Sequence, residues 1–231
     1  MNRPSNPFPL LPLRHGALLP GTVNPLLVGR SRSMALVKEL KPGHSIIGVA
    51  VQRDKDVGTP GIADLYHIGT WARVMDVTQG RRGYRVVLEA LDRFHLDELV
   101  GYEPFWTATG SDLQAEDEDS TEAAHLAEAL TKVLAEMDLD DSGALSELIK
   151  QAGRELSPGR LADRVAGAAL SDPDKQIEVL LTTDVVERLR LVTRLVGESI
   201  SESRTRAEIE AEVRRELHEN QREHVLRKQL Q

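Results

Sequence analysis

The chain has 231 residues, 37 acidic against 29 basic side chains for a net charge of −8, and no cysteine. The missing cysteines exclude disulfides, thiolate nucleophiles and Cys-based zinc sites together, and the acidic balance weighs against a phosphate-binding surface, because nucleic-acid affinity is mostly cation-driven. Hydrophobic content of 40% supports real cores, the 3% of aromatics predicts that those cores are aliphatic, and no run is long enough for a membrane span. The N-terminus, Met-Asn-Arg-Pro-Ser-Asn-Pro, carries no apolar run of signal-peptide type, so a cytoplasmic protein is expected.

The first half has the punctuation of strands. Short β-prone runs separated by Gly, Pro and Asp cover Pro9 to Leu13, Val23 to Val28, Ile46 to Val51, Tyr66 to Val77, Tyr84 to Leu91, Phe94 to Leu99 and Phe105 to Thr109. Gln79 to Gly83 reads as a hairpin turn. One short helix from about Arg32 to Leu40 interrupts them, with Ser31 or Ser33 as cap candidates and Pro42-Gly43 as its stop. Many short strands with one small helix predict a curled sheet or pseudo-barrel over residues 1–115.

Residues 116–122 then carry Glu116-Asp117-Glu118-Asp119 and read as an acidic linker. From 123 to 231 everything reads as helix. Ser120 or Thr121 caps a first helix with Leu126, Leu130, Val133, Leu134 and Met137 on one face, and a second is expected around Ala144 to Ala152. Ser157-Pro158 and Asp172-Pro173 each place a capping residue before Pro at the first helical position. Thr183 or Asp184 starts the last helix, whose Val185, Leu189, Val192, Val196 and Ile200 form one buried face. Beyond Ser201 only Ile209, Val213 and Leu217 keep a thin apolar row. A helix from about 185 to 231 would be about 70 Å long, so its far end is expected to project from the body and to lead into something larger.

The common catalytic signatures are missing. No Gly-Lys pair is present to make a P-loop, and no Gly-x-Ser-x-Gly elbow occurs. The histidines are scattered, with His218 and His224 on different faces of the last helix. Trp71 and Trp106 lie in strand-like runs and read as sheet packing rather than as stacking platforms for bases. The stretch from Leu18 to Pro25 concentrates apolar residues and proline where a turn should be exposed. That suits capture of a greasy, unfolded peptide; the alternative is ordinary loop packing against the sheet.

Several stretches are similar, in order, to the amino-terminal region of ATP-dependent Lon proteases. They are Leu11-Pro12-Leu13-Arg14, Leu19-Pro20-Gly21, Pro25-Leu26, Val28-Gly29-Arg30 with Ser33, Val51-Gln52-Arg53, and Asp64-Leu65-Tyr66 with Ile68-Gly69-Thr70 and Ala72. The helical half adds Arg160-Leu161-Ala162-Asp163, Asp174-Lys175-Gln176, Val186-Glu187-Arg188-Leu189 and Gln221-Arg222-Glu223, where His224 replaces the usual aromatic. The resemblance implies an α+β chain: a PUA-like β-rich pseudo-barrel, then an all-α bundle ending in a long projecting helix. It implies that the following parts of a parent enzyme, an AAA+ ATPase using ATP and Mg and a Ser–Lys peptidase, lie outside this chain. No catalytic, cofactor-binding or metal-binding residue is therefore expected in it.

The expected function is substrate recognition and assembly for a hexameric, cytoplasmic protease that degrades damaged, misfolded and short-lived regulatory proteins. Leu18, Leu19, Pro20, Val23 and Pro25 are the candidate contacts to unfolded protein substrates. Two alternatives stand beside it: a free-standing Lon-domain adaptor, and a PUA-like nucleic-acid-binding module.

Overall fold

The computed structural model describes residues 6–137 and 156–202, together with 205, 209, 214 and 215. Six strands precede the helical half: β1 (Phe8–Leu13), β2 (Val23–Val28), β3 (Ile46–Val51), β4 (Ile68–Gly80), β5 (Gly83–Gly101) and β6 (Thr107–Asp112), with helix α1 (Ser31–Glu39) between β2 and β3. The sheet order is β2-β5-β4-β3-β1-β6, and β6 pairs again with the far end of β5. That second pairing closes β1, β3, β4, β5 and β6 into a barrel and leaves β2 as an edge strand outside it. Closure needs bending, and β4 and β5 shift register between Thr70 and Ala72 and between Val74 and Asp76.

The barrel interior is aromatic, against the aliphatic expectation. Phe8, Trp71, Phe94 and Trp106 are buried in one cluster, with Phe8 edge-on to Trp71 at 4.5 Å and Trp71 stacked on Phe94 at 4.4 Å. Few aromatics in the whole chain does not mean few in one small core. Room for these rings comes from missing side chains: a Cβ at Gly48, Gly69 or Gly110 would press on Phe8 or Phe94 at 2.5 to 3.3 Å. The other face of the sheet is aliphatic, where Leu36 and Val37 of α1 cover Ile47, Val49, Val74, Val86 and Leu88.

The helical half comprises α2 (Thr121–Met137), α3 (Pro158–Ala169), α4 (Pro173–Leu181) and α5 (residues 185–202). Their starts follow local chemistry. Ser120 Oγ accepts from the Ala123 N–H at 3.1 Å, Asp172 Oδ1 from Asp174 at 2.9 Å, and Asp184 Oδ1 from Glu187 at 2.8 Å. Ser157 precedes Pro158 as expected, but its hydroxyl donates to Glu118 instead of capping. Val185, Leu189, Val192 and Val196 are fully buried, which is the predicted apolar face of α5. The expected helix at Ala144 to Ala152 lies outside the described residues, as does most of the expected projecting arm beyond residue 202.

Strand and helical halves share one core. Leu19 and Val51 belong to the same buried cluster as Leu130, Leu161, Leu189 and Val192. The acidic stretch expected as a linker is mostly exposed, yet it is tied down: Val185 N–H donates to the Glu116 carbonyl at 3.1 Å. Among the described residues, no helix is long and apolar enough to cross a membrane.

Candidate functional site

The stretch from Leu18 to Pro25 does not form one exposed turn. It passes between the strand body and the bundle, so consecutive leucines face opposite cores. Leu18 packs in the cluster beneath α1, and Leu19 points the other way into the helices. Pro20 is buried as well. Backbone anchors hold this path: Thr70 Oγ1 donates to the Leu18 carbonyl at 2.7 Å, and Gly21 N–H donates to the Ala90 carbonyl at 2.9 Å. Gly21 takes φ +83°, which a side chain rarely tolerates. Leu18, Leu19 and Pro20 are thus buried by packing, where the sequence leads one to expect an exposed turn.

Val23 and Pro25 behave differently. They lie on β2, where side chains alternate between two faces. Leu26 packs and Val28 is buried against the aliphatic core, whereas Val23 is 59% exposed, Pro25 is exposed and Leu27 is 89% exposed. Leu27 was missed by the sequence reading, although continuing the alternation by two residues finds it. Across the strand pair, Val23, Pro25 and Leu27 oppose Glu89, Val87 and Arg85.

Among the described residues, strand β2 hydrogen-bonds to β5 alone, which leaves its outer edge open. The Thr22 carbonyl accepts from Ala90 N–H at 2.8 Å, which turns the backbone of residues 22, 24, 26 and 28 toward β5. Residues 23, 25 and 27 turn theirs outward. Pro25 stands in the outward set, the position where a strand loses no ladder bond to proline. What remains is a short edge offering the N–H groups of Val23 and Leu27 and three carbonyls, beside an apolar row.

Two clefts adjoin β2, and a third lies beside the second. One of about 540 Å³ runs between Leu11–His15 and Leu26–Arg30. A second, about 560 Å³, lies between Leu27 and the β4–β5 hairpin tip, and a third, about 550 Å³, lies between that tip and α1. Leu27 lines the first two. The tip is the predicted Gln79–Gly83 turn, and it needs glycine: Gly83 has φ +150°, and a Cβ there would sit 2.2 Å from the Val28 carbonyl oxygen.

A fourth cleft, of about 390 Å³, lies at the seam of strands and helices. Arg93 of β5 donates through both terminal nitrogens to Asp163 of α3, and its Nε donates to the Leu180 carbonyl at 2.9 Å. Arg160 reaches back to Asp92 at 2.7 Å and to the Leu91 carbonyl. Arg188 is buried, its Nε has no hydrogen-bond partner among the described residues, and burial pushes its pKa down to about 10 although Asp163 pulls it up. Charges engaged in this way join the strand layer to the helical layer.

Among the described residues, His67 and His95 stack with ring centroids 6.0 Å apart. Among the described residues no His, Asp or Glu cluster is placed to hold a metal ion. His218 and His224 lie outside the described residues.

A family model described as the ATP-dependent protease La (LON) substrate-binding domain matches residues 7–198. The chain belongs to the Lon substrate-binding domain family. Among similar proteins, "Lon protease 4" of Sorangium cellulosum is 43% identical over 98% of the chain, and "Lon protease" of Anaeromyxobacter dehalogenans is 33% identical over 96%. The chain spans only 28% and 27% of those two relatives. The solved N-terminal domain of Mycobacterium avium complex Lon protease aligns at a TM-score of 0.59 with 20% identity, covering 82% of this chain and 97% of that one. A Lon N-terminal domain protein from Xanthomonas campestris aligns at 0.52 with 21% identity, covering 79% and 94%. These likenesses carry the fold, a closed β domain followed by helices. Within this Lon domain, the exposed row on β2 is the candidate recognition surface.

Proposed function

We propose that the chain is the substrate-handling region of an ATP-dependent Lon protease, and that the open edge and outer face of β2 bind exposed apolar segments of unfolded or damaged proteins. One observation carries this: Val23, Pro25 and Leu27 present an apolar row directly beside unpaired backbone groups. An extended peptide added along such an edge gains main-chain hydrogen bonds with little sequence preference, and its alternate side chains rest on the row. Pro25 removes one donor, which keeps the edge from templating unrestrained strand addition.

Weak single contacts suit a parent in which several copies surround one entrance, because avidity multiplies them. On this reading the hexameric ring, the ATP and Mg site and the peptidase belong to the parent, in the cytoplasm, and this chain itself turns over neither ATP nor peptide bonds. Incubation of the 231-residue chain with ATP and casein tests the latter, and measurable turnover overturns it.

Binding is tested by fluorescence anisotropy with a labelled, permanently unfolded protein such as carboxymethylated lactalbumin. Leu27→Asp and Val23→Asp should each weaken binding about tenfold, since a charge replaces apolar contact area. Unchanged affinity in both variants would remove β2 as the site.

A further inference from the structure

The two clefts that adjoin β2 and the third beside them share a property that the overall charge hides. In a chain of net charge −8, they are lined by Arg14, Arg30, Lys38, Arg81, Arg82 and Arg85 and by no Asp or Glu. These residues come from four separate stretches, and the fold gathers them around Leu27. Arg81, Arg82 and Arg85 are exposed at the hairpin tip with no ion pair among the described residues. Glu89, on the same sheet face, is occupied by Arg73 at 2.7 Å, and Asp76 accepts from Thr78 at 3.0 Å. At the other cleft Arg14 is exposed, while Arg30 donates to Gln52 Oε1 at 2.6 Å and to the Pro12 carbonyl, and its pKa is lowered first by burial and then by the neighbouring charge of Arg14.

We infer that this surface selects unfolded segments in which an apolar stretch is flanked by Asp or Glu, and disfavours those flanked by Lys or Arg. The inference rests on the β2 reading above and adds the charge of the substrate to it. With Leu27 between an arginine-lined cleft on each side, an apolar side chain seated on the row places its sequence neighbours beside guanidinium groups. Arginine suits this role because its planar fork meets carboxylates in two-point contact. A nucleic-acid strand is the other polyanion such charges would attract, but stacking needs aromatic faces. Tyr84 and the imidazole of His15 are the aromatic rings lining these clefts, whereas aliphatic Leu27, Val23 and Pro25 dominate the adjoining face.

The test uses the full chain and short fluorescent peptides that share one aliphatic core and differ only in flanks of Glu, Gln or Lys. At low salt the Glu-flanked peptide should bind about tenfold tighter than the Gln-flanked one, with the Lys-flanked peptide weakest. That advantage should fade above about 0.5 M salt, because exposed charges are screened. In the R81Q/R82Q/R85Q variant the Glu-to-Gln ratio should fall to about one. Equal binding of the Glu and Gln peptides overturns the charge preference and leaves the β2 reading standing. Failure of both to bind sinks the β2 reading itself. An oligothymidylate that binds more tightly than the Glu-flanked peptide and displaces it assigns the surface to nucleic acid and overturns the inference.

Discussion

Arg93 and Asp163 are buried face to face, with Arg93 Nη1 and Nη2 donating to the two carboxylate oxygens at 2.6 and 2.7 Å. One residue belongs to the longest strand of the barrel and the other to α3, so this pair fixes how the helices sit on the strands. The Leu180 and Val179 carbonyls take further Arg93 hydrogens at 2.9 and 3.0 Å. Asp163→Ala leaves that guanidinium buried without its counter-charge, and should cost about 3–5 kcal/mol in urea unfolding. A loss below about 1 kcal/mol would show that water replaces the carboxylate.

Arg188 sits 3.6 Å from the same Asp163 but makes its hydrogen bonds to the Thr182 and Thr183 carbonyls. Arg188→Met should therefore cost far less than Asp163→Ala, since Arg93 keeps its partner. The pH dependence has a definite sign. With its pKa lowered to about 10 by burial, Arg188 holds a proton less firmly folded than unfolded. Its charge opposes folding below pH 10, and the opposition lifts as pH rises through 10 toward the ordinary arginine range. Wild type should gain stability relative to Arg188→Met between pH 9 and about 11, measured by paired urea titrations.

Gly69 faces the aromatic interior, where an added Cβ would lie 2.5 Å from the Phe94 ring and 2.6 Å from the Val49 carbonyl. Gly69→Ala should destabilise by about 1–3 kcal/mol through overpacking. The melting temperature should drop by several degrees, and near-ultraviolet circular dichroism from the Trp71–Phe94 stack should change.

Leu19 and Leu27 separate packing from binding within one short stretch of chain. Leu19→Ala removes a fully buried side chain from the shared core and should cost about 2–5 kcal/mol. Leu27→Ala, at an 89% exposed position, should leave stability within about 0.5 kcal/mol and weaken capture of unfolded protein. Thermal denaturation and anisotropy on both variants check the contrast.

Much of the fold is legible in residue order. β2 and β3 begin and end where alternation and Gly/Pro punctuation place them, and Asp172 and Asp184 cap the helices they precede. The long strand β5 reads as two runs because Asp92 and Arg93 interrupt its apolar pattern. Both are engaged by the helical half, through Arg160 and Asp163, which a reading of the strand alone has no means of seeing. Leu18 and Leu19 look like an exposed greasy turn until Leu18 turns into the core beneath α1 and the helical layer buries Leu19. Val23 and Pro25 remain outside because β2 has one packed face and one open face. The arginines around Leu27 come from distant stretches, so net charge averaged them away.

The central claim is that unfolded segments dock on the outer face of β2. Methyl-labelled NMR of the chain, titrated with an aliphatic peptide, tests it most directly. The account predicts that Val23, Leu27 and Val87 shift together and saturate with one affinity, while the exposed Val100 and Ile209 stay unmoved. Shifts at Val100 or Ile209 with Val23 and Leu27 silent would contradict it.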